Sequence, residues 1–168
     1  VSHRSSVFLG ADELQARALA LARSKACRLQ VRTPLTLKVA GRVAREIRAG
    51  SLVRTLVQRN ATLWGLYGGP PPSLAVEEFS RRTWEDLAAG LVVEPLSSRR
   101  ITLPRPSQRA AQGPPRQGRG VILLQGWLGE LALSGISWPL AFHLVLGEEW
   151  ALGGNTLYGF GRYSLHPA

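Results

Sequence analysis

CRLQVRTPLTLKV, residues 27 to 39, alternates apolar and polar side chains, with Leu29, Val31, Leu35, Leu37 and Val39 on one side and Arg28, Gln30, Arg32, Thr36 and Lys38 on the other. A period of two is the signature of a strand that buries one face and shows the other. Pro34 interrupts the run, and a proline inside a strand predicts a bulge or bend there.

Outward from this strand the period changes. On its N-terminal side residues 11 to 25 read as a helix, with Asp12 and Glu13 at the positive end of its dipole, Arg23 and Lys25 at the negative end, and Leu14, Ala18 and Leu21 on one face. That apolar stripe is thin. Residues 1–26 are therefore expected to be an N-terminal helix or linker, the end of a missing domain being one alternative, and 27–168 the domain proper.

On the C-terminal side Ser51 is a candidate cap, and Leu52, Val53, Leu56, Val57, Asn60, Leu63 and Trp64 follow at helical spacing until Gly68, Gly69 and Pro70. A second helix is expected from Ser73 to about Ala89, carrying Val76, Phe79, Thr83 and Leu87 as its stripe and Glu77 to Arg81 and Glu78 to Arg82 as pairs four apart. Residues 91 to 103 read as strand, 121 to 133 as a long strand bent near Gly126 and Gly129, and Ser137 and Pro139 open a short helix to about Leu146. A last strand is expected over 157 to 165, with Tyr158, Phe160 and Tyr163. Trp64, Trp84 and Trp127 are expected in the core.

With the leading helix set aside and the paired helices taken as one layer, the order is strand, helix, strand, strand, helix, strand. This is the order of an α+β, ferredoxin-like domain, an antiparallel four-stranded sheet with helices on one face. The chain has 168 residues, 45% of them hydrophobic, which suits one core of ordinary size.

Charge narrows the partners. Twenty-one Lys and Arg against 11 Asp and Glu give +10, a surface that attracts polyanions without specifying sequence. Residues 104 to 120 concentrate this property: Pro104, Pro106, Pro114 and Pro115 with Gly113, Gly118 and Gly120 deny regular structure, and the charges there are Arg105, Arg109, Arg116 and Arg119. If the flanking strands pair, Arg99, Arg100, Arg105, Arg109, Arg116 and Arg119 project from the tip of a hairpin suited to RNA phosphates.

A lone Cys27 excludes a disulfide framework and a thiolate cluster, and His3, His143 and His166 are too scattered for a ligand set, so neither metal nor cofactor is expected. No stretch approaches a membrane span, and a cytoplasmic location is expected. His143, between Phe142 and Leu144, reads as a packed residue; His3 and His166 lie in termini.

The second basic feature is Gly153, Gly154, Asn155, Thr156, Leu157, Tyr158, Gly159, Phe160, Gly161, Arg162. Four glycines let this backbone turn amide groups toward an anion, and Arg162 adds a charge. Gly153, Gly154, Asn155, Gly159, Gly161 and Arg162 are the expected polyanion contacts here, alongside the hairpin arginines. The Gly-Lys-Ser/Thr ending of a nucleotide P-loop is absent.

The run LVLGEEWALGGNTLYGFGRYSL, from Leu144 to Leu165, resembles the C-terminal glycine-rich signature of the CRISPR repeat-processing endoribonucleases of the RAMP superfamily. VRTPLTLKVAG, from Val31 to Gly41, is similar to the threonine-proline strand that opens their C-terminal domain. The resemblance implies binding of CRISPR repeat RNA and metal-independent processing of precursor crRNA, a 2′-hydroxyl attacking the adjacent phosphate. Other CRISPR-associated subunits are implied as partners.

In place of the histidine that some relatives carry before the glycine loop, this chain has Ala151 and Leu152, and its catalytic residue is not identified. Two alternatives stay open at this point: a non-catalytic RAMP subunit holding guide RNA in a ribonucleoprotein complex, and a protein-docking module for a missing N-terminal half.

Overall fold

The computed structural model describes residues 10–67, 84–106 and 121–168. Helix α1 (Ala11–Ser24) leads into β1 (Ala26–Leu35), followed by a two-stranded ribbon of β2 (Lys38–Val39) and β3 (Arg42–Val43). Helix α2 (Ala49–Tyr67), a helical turn α3 over 84–89, strands β4 (Val92–Pro106) and β5 (Val121–Ser134), helix α4 (Trp138–Trp150) and strand β6 (Tyr163–Pro167) complete the order.

The main sheet is antiparallel in the order β4-β5-β1-β6. Numbered among themselves these are the second, third, first and fourth strands, the arrangement of a ferredoxin-like fold. β1 is central because it alternates cleanly: Cys27, Leu29 and Val31 are buried while Arg28, Gln30 and Arg32 are exposed. The registers Leu29 to Leu131 and Val31 to Tyr163 put the matching residues of β5 and β6 on the same inner face.

Helices α2 and α4 cover that face. α2 begins at Ala49, two residues before Ser51, whose hydroxyl accepts from the Arg48 amide at 3.3 Å and donates to the Arg48 carbonyl at 2.9 Å. Ser51 thus serves the helix start from inside its first turn. Leu52, Val53, Leu56 and Val57 are fully buried. α4 runs four residues past the expected end at Leu146, and buries Leu140, Ala141, Leu144, Val145 and Leu146. Trp84 and Trp127 pack half-buried against the same core.

α1 is not a bystander to this core. Ala18 is fully buried, Arg17 pairs with Glu148 of α4, and the other Glu148 oxygen accepts the Leu165 amide of β6 at 3.0 Å. A thin stripe suffices because an alanine lets the helix approach closely.

Three expectations are corrected. Residues 157 to 162 are not strand: Thr156–Tyr158 form a single 3-10 turn, and β6 begins only at Tyr163. Positive φ at Asn155, Gly159 and Gly161 breaks the extended backbone there. β4 continues through Arg105, with a bulge between Pro95 and Ser97 taking up the polar stretch. β1 stops at Leu35, since β5 changes register against it between Val31 and Leu35, around Pro34.

Beyond that point the β4–β5 ladder goes on alone. Pairing with β1 ends at Leu35 to Trp127, whereas β4 and β5 stay paired out to Pro106 and Val121. The result is a two-stranded arm that leaves the sheet. Residues 73 to 83 of the expected second helix, and 107 to 120 of the basic loop, lie outside the described residues.

Candidate nucleic-acid interface

The glycine-rich segment and the threonine-proline strand are one piece of structure. The Gly154 amide donates to the Thr36 carbonyl at 2.9 Å, the Gly161 amide to the Pro34 carbonyl at 3.0 Å, and the Arg162 amide to the Thr33 hydroxyl at 2.9 Å. In return the Arg162 carbonyl accepts the amides of Arg32 and Thr33. Thr36, 1% exposed, donates its hydroxyl to the Gln125 carbonyl at 2.7 Å and accepts from the Asn155 amide group at 3.3 Å. A proline at 34 suits this site, since a carbonyl is needed and an amide is not.

Gly153 and Gly161 are required by close approach. A Cβ at Gly161, where φ is 81°, would lie 1.8 Å from the Leu152 carbonyl oxygen, and one at Gly153 would lie 2.6 Å from the Thr36 oxygen. The amides of Gly154, Gly159 and Gly161, expected to turn toward an anion, donate to the carbonyls of Thr36, Thr156 and Pro34. What the loop presents outward is side chain: Leu157 is 95% exposed, Tyr158 is half-exposed, and Arg162 is exposed, whereas Phe160 and Tyr163 are buried.

Tyr158 meets the arm. The Arg105 guanidinium carbon sits 4.2 Å from the Tyr158 ring centroid, and an Arg105 terminal nitrogen donates to the Tyr158 hydroxyl at 2.6 Å. The pair joins loop and arm by a cation–π contact and a hydrogen bond.

The hairpin arginines are spread along β4 rather than gathered at a tip. Arg99 lies opposite Leu128 and Arg100 opposite Trp127, so the two neighbours point to opposite faces of the sheet. Arg100 is hydrogen-bonded to the Gln125 side chain, and Arg105 opposite Ile122 lies near the distal end. Arg109, Arg116 and Arg119 lie outside the described residues.

None of the described histidines is placed as a solvent-facing acid or base beside the glycine loop. His143 of α4 is held against α2, where Asn60, 2% exposed, donates to its Nδ1 and to its backbone carbonyl, both at 3.1 Å. Burial pushes its pKa below the ordinary value of 6.5, so the ring is neutral and Nδ1 is an acceptor. Ala151 is half-buried and Leu152 fully buried. Among the described residues no group of three or more His, Cys, Asp or Glu is placed to hold a metal ion, and no helix is long and apolar enough to cross a membrane.

The outer sheet face carries residues that the sequence reading did not nominate. Arg28 and Arg32 project from it, and His166, in β6 rather than in a loose terminus, shares it with Ser164. The alternation of β1 already held that signal; the partners in β6 did not, because their strand was expected elsewhere.

No protein-family model and no curated protein matches the chain. Solved structures do share its fold. A Cas6 product complex is similar with a TM-score of 0.51 at 17% identity, over 84% of this chain and 51% of that one. Cas6 from Thermus thermophilus matches with a TM-score of 0.50 at 17% identity, over 88% and 57%. A chain of a partial Cas6-RT-Cas1–Cas2 complex gives 0.56 at 15% identity, over 100% and 28%. The chain spans about half the length of the two Cas6 chains and a smaller share of the third. At these identities the likeness to these Cas6 structures is one of fold alone.

Proposed function

We propose that this chain is an RNA-binding ferredoxin-like domain of the Cas6 type, residues 27–168 with α1 docked on it, that grips CRISPR repeat RNA in the course of precursor crRNA processing. One observation carries the reading: the glycine-rich turn is clamped onto the threonine-proline bend of β1 and joined through Tyr158 to Arg105 of a cationic arm. Arg99, Arg100, Arg105 and Arg162, with Arg109, Arg116 and Arg119 in the adjoining basic segment, supply the charge for a phosphate backbone. Gly153, Gly154, Asn155, Gly159 and Gly161 give the turn its shape.

Cleavage by 2′-hydroxyl attack asks the protein for proton-transfer groups and transition-state cations, not for a metal. The arginines fit the second role. Leu152 before the glycine loop and the packed His143 favour the narrower reading that this chain holds RNA while another domain or a CRISPR-associated subunit supplies the proton-transfer group. Incubation of repeat RNA with the protein and a chelator tests both. Binding without cleavage supports the holding role, and products ending in a 2′,3′-cyclic phosphate support a complete nuclease. Absence of binding to repeat RNA at moderate salt would overturn the proposal.

A further inference from the structure

A cleft of about 390 Å³ lies between the β2–β3 ribbon, the first turn of α2 and Trp84 of α3. None of its lining belongs to the outer sheet face, the arm or the glycine-rich turn. The ribbon is turned by Ala40 and Gly41, both at positive φ, which is the backbone of a two-residue hairpin turn. Its exit is pinned to the sheet, since the Ala44 amide donates to the Leu37 carbonyl at 2.8 Å and the Trp127 indole donates to the Ala44 carbonyl at 3.2 Å.

Floor and rim differ in chemistry. Val39, 52% exposed, buried Ala44, Gly50 and half-buried Trp84 make an apolar floor, and Lys38, Arg45 and Arg54 stand exposed around it. Among the described residues of the lining Glu46 is the one acid, and it is paired with Arg48. The other three cations have no carboxylate partner among the described residues. An apolar floor ringed by unmatched cations complements a ligand built the other way, an apolar side chain flanked by carboxylates.

We propose that this cleft docks an acidic segment of a protein partner, with an aliphatic or aromatic anchor on Val39 and Trp84 and carboxylates on Lys38, Arg45 and Arg54. RNA suits it less. Bases bind single-strand sites by stacking on open aromatic faces, and Trp84 is already engaged: the Arg54 guanidinium lies over its ring at 5.8 Å from the centroid, and its Cζ3 abuts α2 at Gly50, where a Cβ would be 3.7 Å away. The rim also shows how a carboxylate is received, in the pair of Glu46 with Arg48. Lys38 reaches the glycine-rich turn, its Cε being 3.8 Å from where a Gly154 Cβ would stand, so a docked partner would sit beside that turn. The inference goes beyond the RNA-binding reading and does not depend on it.

The test is fluorescence anisotropy on the full chain with two labelled probes, an octapeptide in which Leu-Phe sits between two runs of three glutamates and an oligouridylate of the same length. Arg45→Ala/Arg54→Ala should weaken octapeptide binding about tenfold, the sum of two exposed ion pairs. Val39→Ser, at an exposed position, should weaken it about threefold by removing part of the apolar floor. A control peptide with Ser-Ser in place of Leu-Phe should bind the unaltered chain about tenfold more weakly, because the anchor carries the affinity. Oligouridylate and stem-loop affinities of both variants should change by less than about threefold, which is also the check that they are folded. Failure of the unaltered chain to bind the octapeptide overturns the inference, as does unchanged binding by the double variant. Equal binding of the control peptide would reduce the contact to net charge, and equal loss on oligouridylate would assign the cleft to RNA; either overturns the inference and leaves the proposed function standing.

Discussion

Arg105 and Tyr158 are 53 positions apart in sequence, and the arginine stacks on the tyrosine ring with its guanidinium carbon 4.2 Å from the centroid. Stacking fixes the plane of the guanidinium and leaves its remaining donors for a phosphate. The contact therefore orders the arm against the loop as well as placing a charge.

Replacing Arg105 with alanine should weaken stem-loop RNA binding and lower the salt slope by about 1, the share of one phosphate contact. Tyr158→Ala, which removes no charge, should weaken binding while leaving the slope nearly as it was. A salt titration of both variants separates orientation from charge, and an unchanged affinity for both would remove the pair from the interface.

Gly161→Ala and Gly159→Ala make a contrast in one loop. Both positions have positive φ, but a Cβ at Gly161 meets the Leu152 carbonyl at 1.8 Å whereas one at Gly159 meets nothing within 4 Å. The second substitution should cost about 1–2 kcal/mol from backbone strain alone. The first should cost clearly more, because β6 and the loop must separate to admit the methyl. Urea unfolding of the two variants checks the order.

Stability should fall in mild acid because of His143. Its folded pKa is below the unfolded value, owing to burial, so the unfolded chain takes up a proton that the folded chain refuses. The stabilisation is complete above about pH 6.5 and is lost as pH falls below that, at no more than about 1.4 kcal/mol per pH unit. His143→Gln should flatten this part of the profile. Identical slopes for variant and parent between pH 7 and 5 would show that another group is responsible.

Cys27 should be inert in the folded protein. It is 2% exposed, and burial with the Glu148 carboxylate nearby pushes its pKa up to about 12, so thiolate is scarce at neutral pH. Iodoacetamide at pH 8 should leave it unmodified until denaturant is added; rapid labelling of the native chain would mean that β1 opens readily.

Glu148 should matter more than its partner. It receives both Arg17 and the Leu165 amide, and its side chain is 15% exposed against 36% for Arg17. Glu148→Ala should cost about 1–2 kcal/mol by leaving a part-buried amide without its acceptor, and Arg17→Ala about 1 kcal/mol or less. Thermal unfolding of both tests this.

Much of the fold was legible where one physical pattern ruled a whole segment. The alternation of Arg28 to Leu35 and the helical spacing from Leu52 to Asn60 each answer to a single burial direction. The end of the chain did not yield, because Leu157, Tyr158 and Phe160 look like strand residues while Asn155, Gly159 and Gly161 impose left-handed backbone, and local backbone won over side-chain preference. Arg99 and Arg100 were found as basic residues, but which of them takes which face depends on the bulge between Pro95 and Ser97. Arg32, Ser164 and His166 were missed as a group since only the pairing of β1 with β6 assembles them.

The arm beyond Trp127 has a property of a notched ruler. Two residues cut from each of β4 and β5 would shorten its reach by about 7 Å and keep every outward side chain outward. A single residue lost from one strand would instead exchange front and back for everything distal to it, turning Arg105 from Tyr158. Changes in the arm's length are therefore tolerable in twos and ruinous in ones.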